Sequence, residues 1–134
     1  MKGRWRLIGI ALVVAGLAHL LFGVAGLAFP RWFFSAVPPW PPLHVGQLQI
    51  GGVFDLSMAA LFFATARNLK RYLPLAAFVG VIAEWGHALV RIGHIATGTN
   101  PATDLLFPVL MLIFGGILVW SVTRRFDPSV ARAA

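Results

Sequence analysis

No cysteine occurs among the 134 residues, which removes disulfides, thiolate metal sites, haem attachment through C-x-x-C-H and thiol redox catalysis. Acidic residues are nearly as scarce: there are four, and Glu84 is the sole glutamate. A carboxylate-bridged di-iron centre draws on several glutamates plus two Glu-x-x-His pairs, so one copy of this chain cannot build it. Charged residues of both signs make up 11% of the chain, against about 25% in a soluble globular domain. That is too little charge to cover a surface that faces water.

What fills the chain instead is apolar: 59% of residues are hydrophobic and the mean hydropathy is +0.84. A bilayer is the solvent that accepts such a surface, and it accepts helices because each helix satisfies its own backbone. Four segments are long enough to span, at about Leu7–Phe29, Val45–Ala66, Tyr72–Ala96 and Leu105–Val122. The fold class expected is therefore all-α, an integral membrane four-helix bundle forming a single domain over residues 1–134. Basic residues precede the first segment, as in a signal peptide, but its apolar run is too long for that and three more spans follow, so it is expected to be retained.

Between the first two segments runs PRWFFSAVPPWPPLH, residues 30–44. Pro30 should end the first helix, and Pro38, Pro39, Pro41 and Pro42 argue against regular helix in this loop. Trp32, Phe33, Phe34 and Trp40 suit the headgroup region, so the loop is expected to form an aromatic cap at the interface.

The net charge of +7 does not point to nucleic acid, because the basic residues flank the apolar segments. With four spans, Lys2, Arg4, Arg6, Arg67, Lys70, Arg71, Arg124, Arg125 and Arg132 share one side, and Arg31 lies opposite. The positive-inside rule then places both termini in the cytoplasm. Three spans would divide that charge between the two sides. The expected location is a bacterial cytoplasmic membrane, crossed several times, with membrane lipid as the constant partner.

Six ionisable residues interrupt the apolar segments: His19, Asp55, Glu84, His87, Arg91 and His94. An Asp, Lys or Arg at a helix centre costs about 2.5–3.5 kcal/mol on insertion scales, so such groups face inward and find partners. At about 1.5 Å per residue, His19, Asp55 and Glu84 each fall about 15–18 Å from the end of their segment, close to the midplane. Glu84, His87, Arg91 and His94 follow at +3, +7 and +10, along one stripe of the third segment. Small residues accompany the polar ones, with Gly9, Gly16 and Gly23 recurring every seven residues beside His19, and Gly51, Gly52 and Ala59 flanking Asp55. A shallower polar set comprises His44, Gln47, Asn100 and Asp104 together with Arg91 and His94.

These residues leave several chemistries open. A buried polar latch would pair Arg91 with Glu84, Asp55 or Asp104. Glu84-x-x-His87, completed by His19 and Asp55, would give a mononuclear zinc, iron or copper site. A small lipophilic ligand, quinone-like or lipid-like, would sit among Phe54, Phe62, Trp85 and aliphatics, with His19, Asp55, Glu84, His87, Arg91 and His94 as its polar contacts. Turnover would need a buried acid beside a histidine to move protons, and the residues leave the protein open as an enzyme or a binder. A role in proton conduction, as a homo-oligomer, or as a non-catalytic subunit of a larger membrane complex uses the same stripe. No motif names a cofactor.

The first helix GLAHLLFGVAGLAFP, the proline-bearing loop, the acid-bearing second helix GGVFDLSMAALFFA and the polar third helix EWGHALVRIGH together resemble the small bacterial four-helix membrane proteins called DoxX-like. That resemblance covers most of the chain and implies a membrane bundle, with some members linked to respiratory or sulfur-oxidising quinone chemistry. The layout is also similar to sterol isomerase-like membrane bundles, in which acids and a histidine face an apolar cavity.

Overall fold

The computed structural model describes residues 2–36, 43–98 and 105–125. All the regular structure among them is helical: α1 (Lys2–Ala28), α2 (Pro30–Ala36), α3 (Val45–Arg67), α4 (Leu69–Ala96) and α5 (Leu106–Arg125). Helices α1, α3, α4 and α5 are long and apolar enough to cross a membrane. Their large side chains are exposed on many sides, including Leu21 at 71%, Ile50 at 72% and Phe78 at 68%. Water would penalise each by about 1.5–3 kcal/mol relative to burial, and lipid does not. The serine and threonine hydroxyls in these helices bond to backbone of their own helix. Ser57 donates to the Val53 carbonyl at 2.9 Å, Thr65 to Leu61 at 2.7 Å and Ser121 to Ile117 at 2.6 Å. Such back-bonding removes a polar group from lipid without a partner helix.

Residues Pro30–Ala36 form a helix where the loop was expected to be irregular. Proline at a first helical position loses nothing, since its missing N–H would have no intrahelical partner there. Its absence does break the preceding ladder, because Pro30 cannot donate to Gly26. The chain restarts at once: Phe29 N–H reaches the Ala25 carbonyl at 2.9 Å and Phe33 N–H the Phe29 carbonyl at 2.9 Å. The new helix ends at Ala36, before the proline run. Of the aromatic cap, Trp32 is 63% exposed and the Phe33 ring meets Phe22 edge-on at 5.7 Å. Trp40 lies outside the described residues.

The basic turn RNLKRY is also shorter than its sequence suggests. Asn68 alone separates α3 from α4, and its side-chain oxygen accepts from Arg71 N–H at 3.1 Å. An asparagine cap satisfies one of the orphan donors of a helix start, so helix begins at Leu69 and takes in Lys70 and Arg71. The Arg71 guanidinium then lies over Tyr72, 5.2 Å from the ring centroid. At the other end, Thr97 N–H bonds to Gly93 and Gly98 N–H to Ile95, both at 3.0 Å. Gly98 terminates the helix at φ +72, a left-handed conformation that glycine adopts without a Cβ penalty.

The chain divides into two compact units, Gly9–Arg67 and Met1–Ile8 with Asn68–Ala134. In the first, α1 and α3 approach through glycine. Gly16 lies under the Phe63 ring, Gly23 under Leu56, and Gly52 against the backbone of Gly23 and Leu27. Gly9 and Gly51 meet nothing within 4 Å, so the packing seam uses one glycine of the Gly51–Gly52 pair and two of the heptad-spaced three. In the second unit, α4 packs on α5. Leu73, Ala76, Ala77, Gly80, Glu84 and Ala88 are the buried residues of α4 and recur at helical spacing. Trp85 reaches across to α5, where its Nε1 donates to the Leu112 carbonyl at 3.2 Å and its indole lies on Gly115. Any side chain at 115 would overlap that indole. Gly115→Leu is therefore expected to destabilise α4–α5 packing by about 1–3 kcal/mol, measured as a lower midpoint of denaturant unfolding in detergent. Gly116→Ala, where nothing lies within 4 Å, should leave it unchanged or raise it slightly.

Candidate functional site

In the Gly9–Arg67 unit, His19 and Asp55 meet. His19 Nδ1 and Asp55 Oδ1 are 2.7 Å apart, 36 residues apart in sequence. His19 is 8% exposed as a residue, and the two side chains are 10% and 22% exposed. The contact lies well inside both helices. His19 is about 21 Å from Trp5 and about 14 Å from Ala28 along its span, and Asp55 about 15 Å from Val45 and about 18 Å from Arg67.

The sequence builds this meeting from the glycines. Gly16 and Gly23 stand three before and four after His19, on the same face, and Gly52 stands three before Asp55. Without side chains at these positions the two backbones come close enough for a short carboxylate to reach an imidazole. Phe62, fully buried, closes one side, with its ring tilted at 59° to the imidazole and the centroids 5.5 Å apart. Gln49 ties the end of α1, its Nε2 donating to the Leu27 carbonyl at 3.4 Å. Gln49 was not singled out in the sequence, because a polar residue near a segment end is common at the headgroup level.

A carboxylate on Nδ1 selects an imidazole protonated there and orients the ring, which is how histidine is prepared for proton chemistry or ligand binding.

The other four residues belong to α4, in the second unit. Glu84 is 5% exposed and sits on the buried row with Gly80 and Ala88. His87 is exposed, and Arg91 and His94 are half-buried. By angle His87 falls on the same side of the helix as Ala76 and Gly80. The Arg91 guanidinium lies over the Phe107 ring of α5, 5.6 Å from the centroid. The Trp85 indole, 37% exposed, bonds the Leu112 carbonyl and lies on Gly115. Of the shallower set, His44 and Gln47 are exposed, while Asn100 and Asp104 lie outside the described residues. Among the described residues no group of three or more His, Asp or Glu side chains is placed to hold a metal ion.

No protein-family model matches the chain, and no match is found among curated proteins or solved structures.

Proposed function

We propose that this protein crosses a bacterial cytoplasmic membrane four times, with both termini cytoplasmic, and holds a small lipophilic ligand at the His19–Asp55 pair. Orientation rests on the basic residues, nine of which share one side of a four-span chain. The ligand class, quinone-like or lipid-like, follows from where the pair stands: a buried polar contact at mid-span is reached most directly by a molecule that partitions into the bilayer.

The observation that carries the reading is the 2.7 Å His19–Asp55 contact itself, weighed against its cost. An aspartate at a helix centre costs about 2.5–3.5 kcal/mol to insert. An interhelical hydrogen bond in a membrane returns about 0.6 kcal/mol on average and about 1.7 at most. As a latch alone, the pair falls short of its own insertion cost. The glycine seam already brings α1 and α3 together without it. A polar pair kept at this depth is better explained by something it binds.

Native mass spectrometry of protein extracted in mild detergent tests this. Wild type is expected to retain a bound lipophilic species, and Asp55→Asn and His19→Gln, both close in shape, to lose at least 10-fold in occupancy. Equal retention in all three would remove the pair as the site.

A further inference from the structure

Helix α3 carries a polar row that ends on the His19–Asp55 pair. His44, Gln47, Gly51 and Asp55 follow at +3, +7 and +11, so they stand on one face. Leu48 N–H bonds to the His44 carbonyl at 3.1 Å, which makes His44 the first acceptor of that ladder. From His44 to Asp55 the row runs about 17 Å, from the end of the span to mid-depth. His44, Gln47 and Gly51 are exposed, and the Asp55 side chain keeps 22% exposure. Met58, Phe62 and Thr65 continue the same face towards Arg67, and there the first is 2% exposed and the others not at all. One face of α3 is thus open before Asp55 and closed after it. Helix α1 leaves the open part uncovered, because it meets α3 to one side, at Gly52, Leu56 and Phe63. A Cβ at Gly51 would meet nothing within 4 Å.

We infer that water lines this face from His44 down to Asp55, so that the pair is hydrated from one side of the membrane only, the side opposite the termini. Acyl chains do not suit the row. A histidine, a glutamine and an aspartate need hydrogen-bonding partners, which hydrocarbon does not supply. A carboxylate has about four accepting positions, and water arriving along the row serves those that the His19 contact leaves. Ionisable groups at this depth usually face a protein interior or a water-filled space, and the exposure of the row selects the second. On the opposite side of α3, at nearly the depth of Gly51, stands Val53, 54% exposed and suited to lipid. Closure at Met58 and Phe62 makes the path one-sided. It needs four spans but no lipophilic ligand, and it stands or falls apart from that reading.

Single cysteines test it in the whole protein, which has none of its own to interfere. Gly51→Cys, Gln47→Cys, Val53→Cys and Ala134→Cys are each reconstituted in liposomes and treated with a charged, membrane-impermeant thiosulfonate added to one side. A thiol reacts as thiolate, which forms in water and not in lipid, so Gly51→Cys should react at least about 10-fold faster than Val53→Cys. Gln47→Cys should react at least as fast as Gly51→Cys. Both should react from the side opposite to the one that labels Ala134→Cys, whichever way the protein is inserted. Equal rates at 51 and 53, or labelling of Gly51→Cys from the same side as Ala134→Cys, overturns the inference. If Gly51→Cys does not fold, the comparison of Gln47→Cys with Val53→Cys decides by the same criteria. A reactive Gly51→Cys in a protein that retains no lipophilic species supports the water path and removes the ligand reading alone.

Discussion

Asp55→Leu, made with His19 left in place, is expected to lower the unfolding free energy in detergent by about 2 kcal/mol. The loss is not that of one hydrogen bond. It comes from leaving the buried imidazole of His19, 8% exposed and covered by Phe62, without the carboxylate that accepts from its Nδ1. Removing one partner of a buried pair costs the desolvation of the group left behind, about 1–3 kcal/mol, whereas removing both can be nearly neutral. His19→Leu combined with Asp55→Leu should therefore recover most of the loss, the non-additivity expected of two groups in direct contact. Asp55 keeps 22% of its side chain exposed, which holds the expectation near the middle of the range. Denaturation by sodium dodecyl sulfate followed by far-ultraviolet circular dichroism measures all three variants. Strict additivity of the two single changes would mean that the 2.7 Å contact contributes nothing to the fold.

The same double variant separates stability from function. If it is as stable as wild type yet retains no lipophilic species, the pair is kept for binding. A protein that merely needed α1 fastened to α3 would do as well with two leucines.

Much of this arrangement is legible in the residues, for physical reasons that differ from part to part. The four spans are legible because lipid permits so few solutions: an apolar run of 18 residues or more must close its own hydrogen bonds as a helix. The His19–Asp55 meeting is legible because each residue is costly where it stands and each is flanked by glycine at −3 or +4. Whether Glu84 belongs with them was expected from depth alone. Its burial on the α4 row agrees with an inward-facing acid at that depth. Angle alone does not fix exposure, since His87 shares the angle of buried Ala76 and is exposed. Helix α2 was missed because a dense run of prolines outweighed the seven residues before it, although Pro30 is a good helix starter. The α5 partner of Trp85 was not legible, because an aromatic in an apolar segment gives no sign of what it meets. The sign was in α5, where the glycine at 115 leaves room for an indole.

Gly51 and Gly52 are neighbours for which opposite outcomes are expected. Both are glycines inside a helix, where alanine is favoured by about 1 kcal/mol on propensity alone. At Gly51 a Cβ would meet nothing within 4 Å, so Gly51→Ala is expected to be neutral or to stabilise by up to about 1 kcal/mol. At Gly52 a Cβ would stand 2.8 Å from the Gly23 carbonyl oxygen and 2.8 Å from the Leu27 nitrogen. Both are backbone atoms of α1, which cannot rotate aside as a side chain can, so the helices must separate. Overpacking of this kind costs about 1–3 kcal/mol, enough to reverse the propensity gain at Gly52→Ala, and Gly52→Leu should exceed it. Separation would also lengthen the His19–Asp55 contact, because Asp55 lies one turn further along the same face of α3. Gly52→Leu is thus expected to lose stability and bound lipophile together, while Gly51→Leu keeps both. Equal effects at the two positions, in unfolding midpoint or in retained ligand, would show that α1 and α3 do not meet along the Gly23–Gly52 seam.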